Sequence, residues 1–174
     1  YDPTAYAQWH DARLRVVPEP TLLRLTNAHL IGPFDNTDFR GLRQAYAPEE
    51  SIDLEGSYTG KDDLPVSWRR IPELDGTFEA AQDLGPWMEE GRWSVFYLYA
   101  EVVVAEPQMA HLATKVSGIS FAWVNDQPVL VPTIFQPTDT ELERGLVSLK
   151  PGVNRVLLKL LFFGRRRDLV CRFE

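Results

Sequence analysis

Five tryptophans, at positions 9, 68, 87, 93 and 123, and several clusters of short polar side chains are the residues of this chain best suited to chemistry. A flat apolar ring beside Asp, Asn, Gln or Arg suits a sugar, whose hydroxyls need fixed hydrogen-bond partners. Trp87 follows Gly85-Pro86 and precedes Met88-Glu89-Glu90-Gly91, so it is expected on a loop and exposed. Trp123 sits mid-strand and Trp93 opens an apolar run, so both are expected in the core. Trp68, in Trp68-Arg69-Arg70, is expected half-buried and capped by an arginine. Asp35, Asn36, Asp38 and Arg40 lie in one six-residue run. They read either as a hydroxyl-recognising loop or as Asx-turns and internal salt bridges that brace a long loop. Asn125 and Asp126 complete the candidate ligand-binding set with Trp87, and they also suit a tight hairpin that needs positive φ.

Other chemistries find less support. Nucleophilic catalysis needs Ser or Cys beside a base held by a third group. His10, His29 and His111 lie in no nucleophile motif, and Gly-x-Ser-x-Gly is absent. Whether two carboxylates face each other as in a glycosidase is decided in space and cannot be read from the chain. No catalytic residue is assigned. One Cys and three scattered His do not suit zinc. Asp53, Glu55, Asp62 and Asp63 offer oxygens for calcium without EF-hand spacing, and as solvated loop acids they need no metal. No metal or cofactor is expected. Arg165-Arg166-Arg167 reads as a solvated hairpin tip or as a grip for an acidic partner or anionic glycan.

The 174 residues are 44% apolar and 25% charged, a globular balance, with a net charge of −7 that disfavours nucleic acid. The charge is uneven: residues 1–106 carry 9 basic and 19 acidic side chains, whereas 107–174 carry 9 and 6. Complementary faces within one fold account for this. Cys171 stands alone in an apolar run and reads as a buried small hydrophobe. No apolar run reaches transmembrane length, so no membrane insertion is expected. No signal peptide is visible, and Tyr1 in place of an initiator Met fits either a processed product, with room for a removed leader, or an excised piece of a longer chain.

The elements that must position these residues read as extended. Residues 94–105 are apolar on both faces and are expected as a central strand. Further strands are expected at 21–31, 66–71, 111–116, 119–124, 128–131, 145–149, 153–163 and 168–173. Lys150-Pro151-Gly152 suits a type II turn. Residues 1–20 read as an arm or short helix, 32–65 as a long packed irregular region, and 79–83 as a single helical turn. Many short strands and 13 prolines predict an all-β fold, an antiparallel β-sandwich or jelly roll, as one domain over 1–174.

Two segments carry a resemblance. Trp123-Val124-Asn125-Asp126 and Leu149-Lys150-Pro151-Gly152-Val153-Asn154 resemble the galactose-binding-like jelly-roll domains that accompany glycoside hydrolase catalytic domains, with Asp126 where Gly is usual. Ile31-Gly32-Pro33-Phe34-Asp35-Asn36, Tyr46-Ala47-Pro48-Glu49-Glu50 and Val66-Ser67-Trp68-Arg69 are similar to accessory regions of large secreted or periplasmic bacterial proteins. The acidic turn that related domains place before the Trp strand reads here Val116-Ser117-Gly118-Ile119, which argues against calcium at that point. The resemblance implies an extracellular or periplasmic carbohydrate-binding or accessory module, non-catalytic itself, with a glycan and the adjacent domains of a longer chain as partners. The alternatives are a structural or protein-interaction sandwich without a sugar site and a free-standing glycoside hydrolase.

Overall fold

The computed structural model describes residues 23–88, 92–132 and 142–174. Its strands are β1 (Thr26–Asp35), β2 (Ser57–Thr59), β3 (Pro65–Ser67), β4 (Arg69–Arg70), β5 (Gln82–Asp83), β6 (Ser94–Val104), β7 (Gln108–Val116), β8 (Ile119–Val124), β9 (Gln127–Leu130), β10 (Glu143–Leu149), β11 (Gly152–Phe162) and β12 (Asp168–Phe173). One short helix, α1, spans Ala47–Glu50. Six strands form one sheet in the order β4-β1-β6-β11-β8-β9, four form a second as β10-β7-β12-β5, and β2 and β3 pair separately. Each of these pairings is antiparallel.

The two larger sheets close over one core. Phe96, Leu98 and Ala100 of β6 and Leu158 and Leu160 of β11 meet Leu112, Leu149, Leu169, Cys171 and Phe173 of the smaller sheet. Successive residues of a strand point to opposite faces. The odd positions Val95, Tyr97, Tyr99, Leu157 and Leu161 therefore face away from that core, yet they too are buried. Residues 36–64 explain this. They cross the outer face of the six-stranded sheet and cover it with Leu42, Tyr46, Ile52, Leu54 and Tyr58. A sheet covered on both faces takes mostly apolar residues on both sides of its middle strands, which is why the buried stretch 94–100 of β6 lacks alternation.

The architecture is the expected antiparallel sandwich, with differences in detail. The first strand starts at Thr26 and runs through the cis Gly32-Pro33 bond to Asp35, where a stop at Gly32-Pro33 is the sequence expectation. Pairing to β6 carries it past the proline through a register shift between Ile31 and Phe34. The segment 79–83 is no helical turn: Gln82 and Asp83 pair with Leu169 and Asp168 as the edge of the smaller sheet. The expected arm at 1–20 lies outside the described residues. Asn125 and Asp126 take φ of 51° and 66° at the β8–β9 turn, and Gly152 takes 89°. No helix among the described residues is long and apolar enough to cross a membrane.

Candidate cleft at the edge of the six-stranded sheet

The short strand β4 pairs with β1 only at His29 and Leu30. Beyond it β1 pairs with no strand on that side, and between β1 and residues 61–67 lies a cleft of about 450 Å³. Phe96 and residues 30–33 line it from within. Gly32 permits this close approach: at φ 142°, a Cβ there would sit 2.5 Å from the Phe96 ring. Trp87, Lys61, Asp62, Ser67 and Arg69 supply the other chemistry of the lining.

Local structure places each of these groups. Leu84 is fully buried and anchors a 3-10 turn over Gly85–Trp87, in which the Trp87 N–H donates to the Leu84 carbonyl at 3.1 Å. The Asp83 carboxylate accepts from the Gly85 N–H at 2.8 Å and sets the entry to that turn. Trp87 is half-buried, packed in part against the inter-sheet core. The Arg69 guanidinium donates to the Trp87 carbonyl, which ties β4 to this turn. Trp68 points to the buried face, so Arg69, its neighbour, points to the cleft side. The Lys61 ammonium donates to the carbonyls of Arg92 at 2.9 Å and Trp93 at 3.3 Å. Asp62 is exposed, at φ 57°. An indole, two cations, a carboxylate and a hydroxyl around one cleft can stack on a flat ring and bond to hydroxyls from several sides.

The other residues expected from the sequence do not line this cleft. Asp35 accepts from the Thr37 N–H at 2.9 Å and hydroxyl at 2.7 Å, and pairs with Arg40 at 3.2 Å. The Thr37 hydroxyl, with help from the Arg40 and Lys61 charges, holds its carboxyl below the ordinary value. Asn36 is fully buried, and its side-chain oxygen accepts from the Gly41 N–H at 3.0 Å. Asp38 is exposed, at φ 54°. Asn125 and Asp126 lie at the β8–β9 turn, bonded to β11 through Asn154 and Arg155. Asp126 borders a smaller cleft of about 100 Å³ with Trp123, Arg155 and residues 48–52. The structure thus separates the sequence-predicted set into three places.

All four described tryptophans differ from expectation: Trp87 is half-buried rather than exposed, and Trp123 is half-buried against the outer face of the six-stranded sheet rather than in the core. Trp93 is 39% exposed rather than buried, because the start of β6 turns through φ 55° there. Trp68 is 8% exposed rather than half-buried, since it packs against the outer face of the six-stranded sheet beside Tyr99. Lys61, Ser67 and Arg69 were not singled out from the sequence as ligand contacts. The alternation around Trp68 was the one signal that pointed Arg69 away from the core.

No family model matches the sequence, and no curated protein matches it. Solved structures do. A β-glucosidase from Kluyveromyces marxianus in complex with glucose superposes with a TM-score of 0.51 at 11% identity, over 84% of this chain and 16% of that one. An anti-sigma factor domain-containing protein superposes with a TM-score of 0.51 at 12% identity, over 92% of this chain and 45% of that one. The chain thus spans less than half the length of either. At these identities the likeness is one of fold: all three contain the same antiparallel sandwich.

Proposed function

We propose that this chain is a non-catalytic carbohydrate-binding module of a larger extracytoplasmic protein, and that it binds through the Trp87 cleft. The observation that carries the reading is the placement of Trp87 beside Lys61, Asp62, Ser67 and Arg69 in a cleft of about 450 Å³. That volume lies within the usual range for small-ligand sites, about 300–1,000 Å³. The indole would stack on the apolar face of a sugar ring, and the flanking groups would fix its hydroxyls.

The cleft supports binding better than hydrolysis. Glycoside cleavage takes a pair of carboxylates on either side of the bond, and among the described residues Asp62 is the sole carboxylate lining the cleft. His29 is occupied elsewhere, against the Asn27 carbonyl at 2.8 Å and the Tyr99 ring. The sandwich shared with part of a β-glucosidase is consistent with an accessory place beside a catalytic domain.

Affinity electrophoresis through gels containing β-glucan, xylan or galactan tests this. At least one polysaccharide should retard the wild type, and Trp87→Ala should migrate freely while keeping its far-UV circular dichroism. Equal retardation of the two proteins, or none of either, would remove the Trp87 cleft from consideration.

A further inference from the structure

We infer that the binding surface runs on from the Trp87 cleft to Trp93, so that the ligand is a chain of several sugars rather than one terminal residue. The inference rests on the glycan-binding reading of the Trp87 cleft and deepens it.

Lys61 connects the cleft to the Trp93 backbone. It lines the cleft that Trp87 borders, and its ammonium is anchored on the backbone carbonyl of Trp93 at 3.3 Å and of Arg92 at 2.9 Å. The Trp93 backbone therefore stands next to the cleft, and its ring packs on Phe39 and Phe163 outside the cleft lining. A core role would bury its ring, yet the residue is 39% exposed. Its backbone also sits at φ 55°, in the left-handed region. A bulky side chain there is strained, and such strain persists only where the surroundings impose it, often at ligand clamps. The surroundings of Trp93 do impose it. The Trp93 carbonyl accepts from the Asn36 N–H at 3.0 Å as well as from Lys61. The Phe39 and Phe163 rings stand 5.2 Å and 5.6 Å from the indole, each nearly perpendicular to it, and fix its orientation.

The Phe39 ring that packs on this second indole brings a polar segment with it. Asp38 and Arg40 sit on either side of Phe39 in the chain, and both are exposed. The polar run at 35–40 thus acquires an aromatic partner, Trp93 in place of Trp87. A stacking surface outside the cleft adds affinity only for a ligand longer than the cleft holds. That is the physical reason for a chain.

Isothermal titration with matched di- and hexasaccharides of β-glucan, xylan and galactan tests the inference. For at least one series the hexasaccharide should bind roughly tenfold more tightly than the disaccharide, the size of one aromatic contact. Trp93→Asn should lose that gain and keep the disaccharide affinity. Asparagine tolerates the left-handed backbone, so this variant removes the ring without adding strain. Trp87→Ala should lose both affinities. Equal binding of short and long chains, or hexasaccharide binding unchanged in Trp93→Asn, would overturn the extension and leave the Trp87 cleft standing. If the wild type binds none of the six probes, both readings fall together.

Discussion

The Lys159 ammonium sits 2.7 Å from the Glu49 carboxylate, joining β11 to helix α1 across 110 positions of sequence. The two side chains are 5% and 16% exposed. Lys159 also donates to the Gln44 carbonyl at 2.8 Å and lies within 6.0 Å of the ring centres of Tyr46, Tyr97 and Phe121. The Tyr97 hydroxyl donates to the same Glu49 oxygen. This buried cluster fastens the segment 36–64 to the outer face of the six-stranded sheet. Burial pushes the Lys159 ammonium below the ordinary lysine value, against the opposing pull of Glu49.

Removing one partner of a buried pair leaves the other uncompensated, at a cost of about 3–5 kcal/mol. Glu49→Gln should therefore lower the unfolding free energy by about 3 kcal/mol, and Glu49→Gln with Lys159→Met should recover part of the loss. Urea titration of the single and double variants measures this. A loss of under about 0.5 kcal/mol in Glu49→Gln would mean that water reaches the pair.

Stability should fall in mild alkali because of Cys171. The thiol is fully buried, and burial pushes its pKa up to about 12. Its unfolded value is about 8.5, so above that pH the unfolded chain releases a proton that the folded chain keeps. The folded state loses stability as pH rises, by about 2 kcal/mol between pH 8 and 10. Lys159, with its lowered value, acts in the opposite sense as pH rises toward the unfolded lysine value of about 10.4. Comparison with Cys171→Ala isolates the thiol, since that variant should lack this part of the slope. Parallel pH profiles for the two proteins would show that the thiol does not contribute.

Asn154 and Asp126 are neighbours across one turn and should behave differently. Asn154 is fully buried; its side chain accepts from the Asn125 amide at 2.8 Å and the Lys150 N–H at 3.0 Å, and donates to the Lys150 carbonyl at 2.8 Å. Asn154→Ala should cost about 2–3 kcal/mol, because it removes three hydrogen bonds that close the 150–152 turn and tie it to the β8–β9 turn, each worth about 1 kcal/mol. The Asp126–Arg155 pair, at 2.6 Å, is open to water, and Asp126→Ala should cost under about 1 kcal/mol. Thermal melts of the two variants give the ordering, and a larger loss in Asp126→Ala would reverse it.

Gly118 faces the backbone of β11. A Cβ added there would lie 2.0 Å from the Leu161 carbonyl oxygen. Backbone cannot move aside as a side chain can, so Gly118→Ala should destabilise by about 1–3 kcal/mol. Gly164→Ala is the control, since a Cβ there meets nothing within 4 Å. Equal melting temperatures for the two would remove the close approach.

The strands and turns were legible in the chain because their causes are local. Side-chain alternation, the prolines and Gly152, and the tolerance of Asn125 and Asp126 for positive φ act between near neighbours. They led to an antiparallel sandwich with β6 at its centre. The lack of alternation in 94–100 implied a central strand, which β6 is. What covers the outer face, the pairing of Glu49 with Lys159, and the meeting of residues 61, 69 and 87 at one cleft were decided only by the tertiary structure. Trp93 shows the limit most plainly: its apolar neighbours in sequence argued for burial, but a left-handed turn at the mouth of β6 brings it to the surface. Periodicity tells which way a side chain points from its own strand, whereas the distance between segments far apart in sequence depends on how the layers pack.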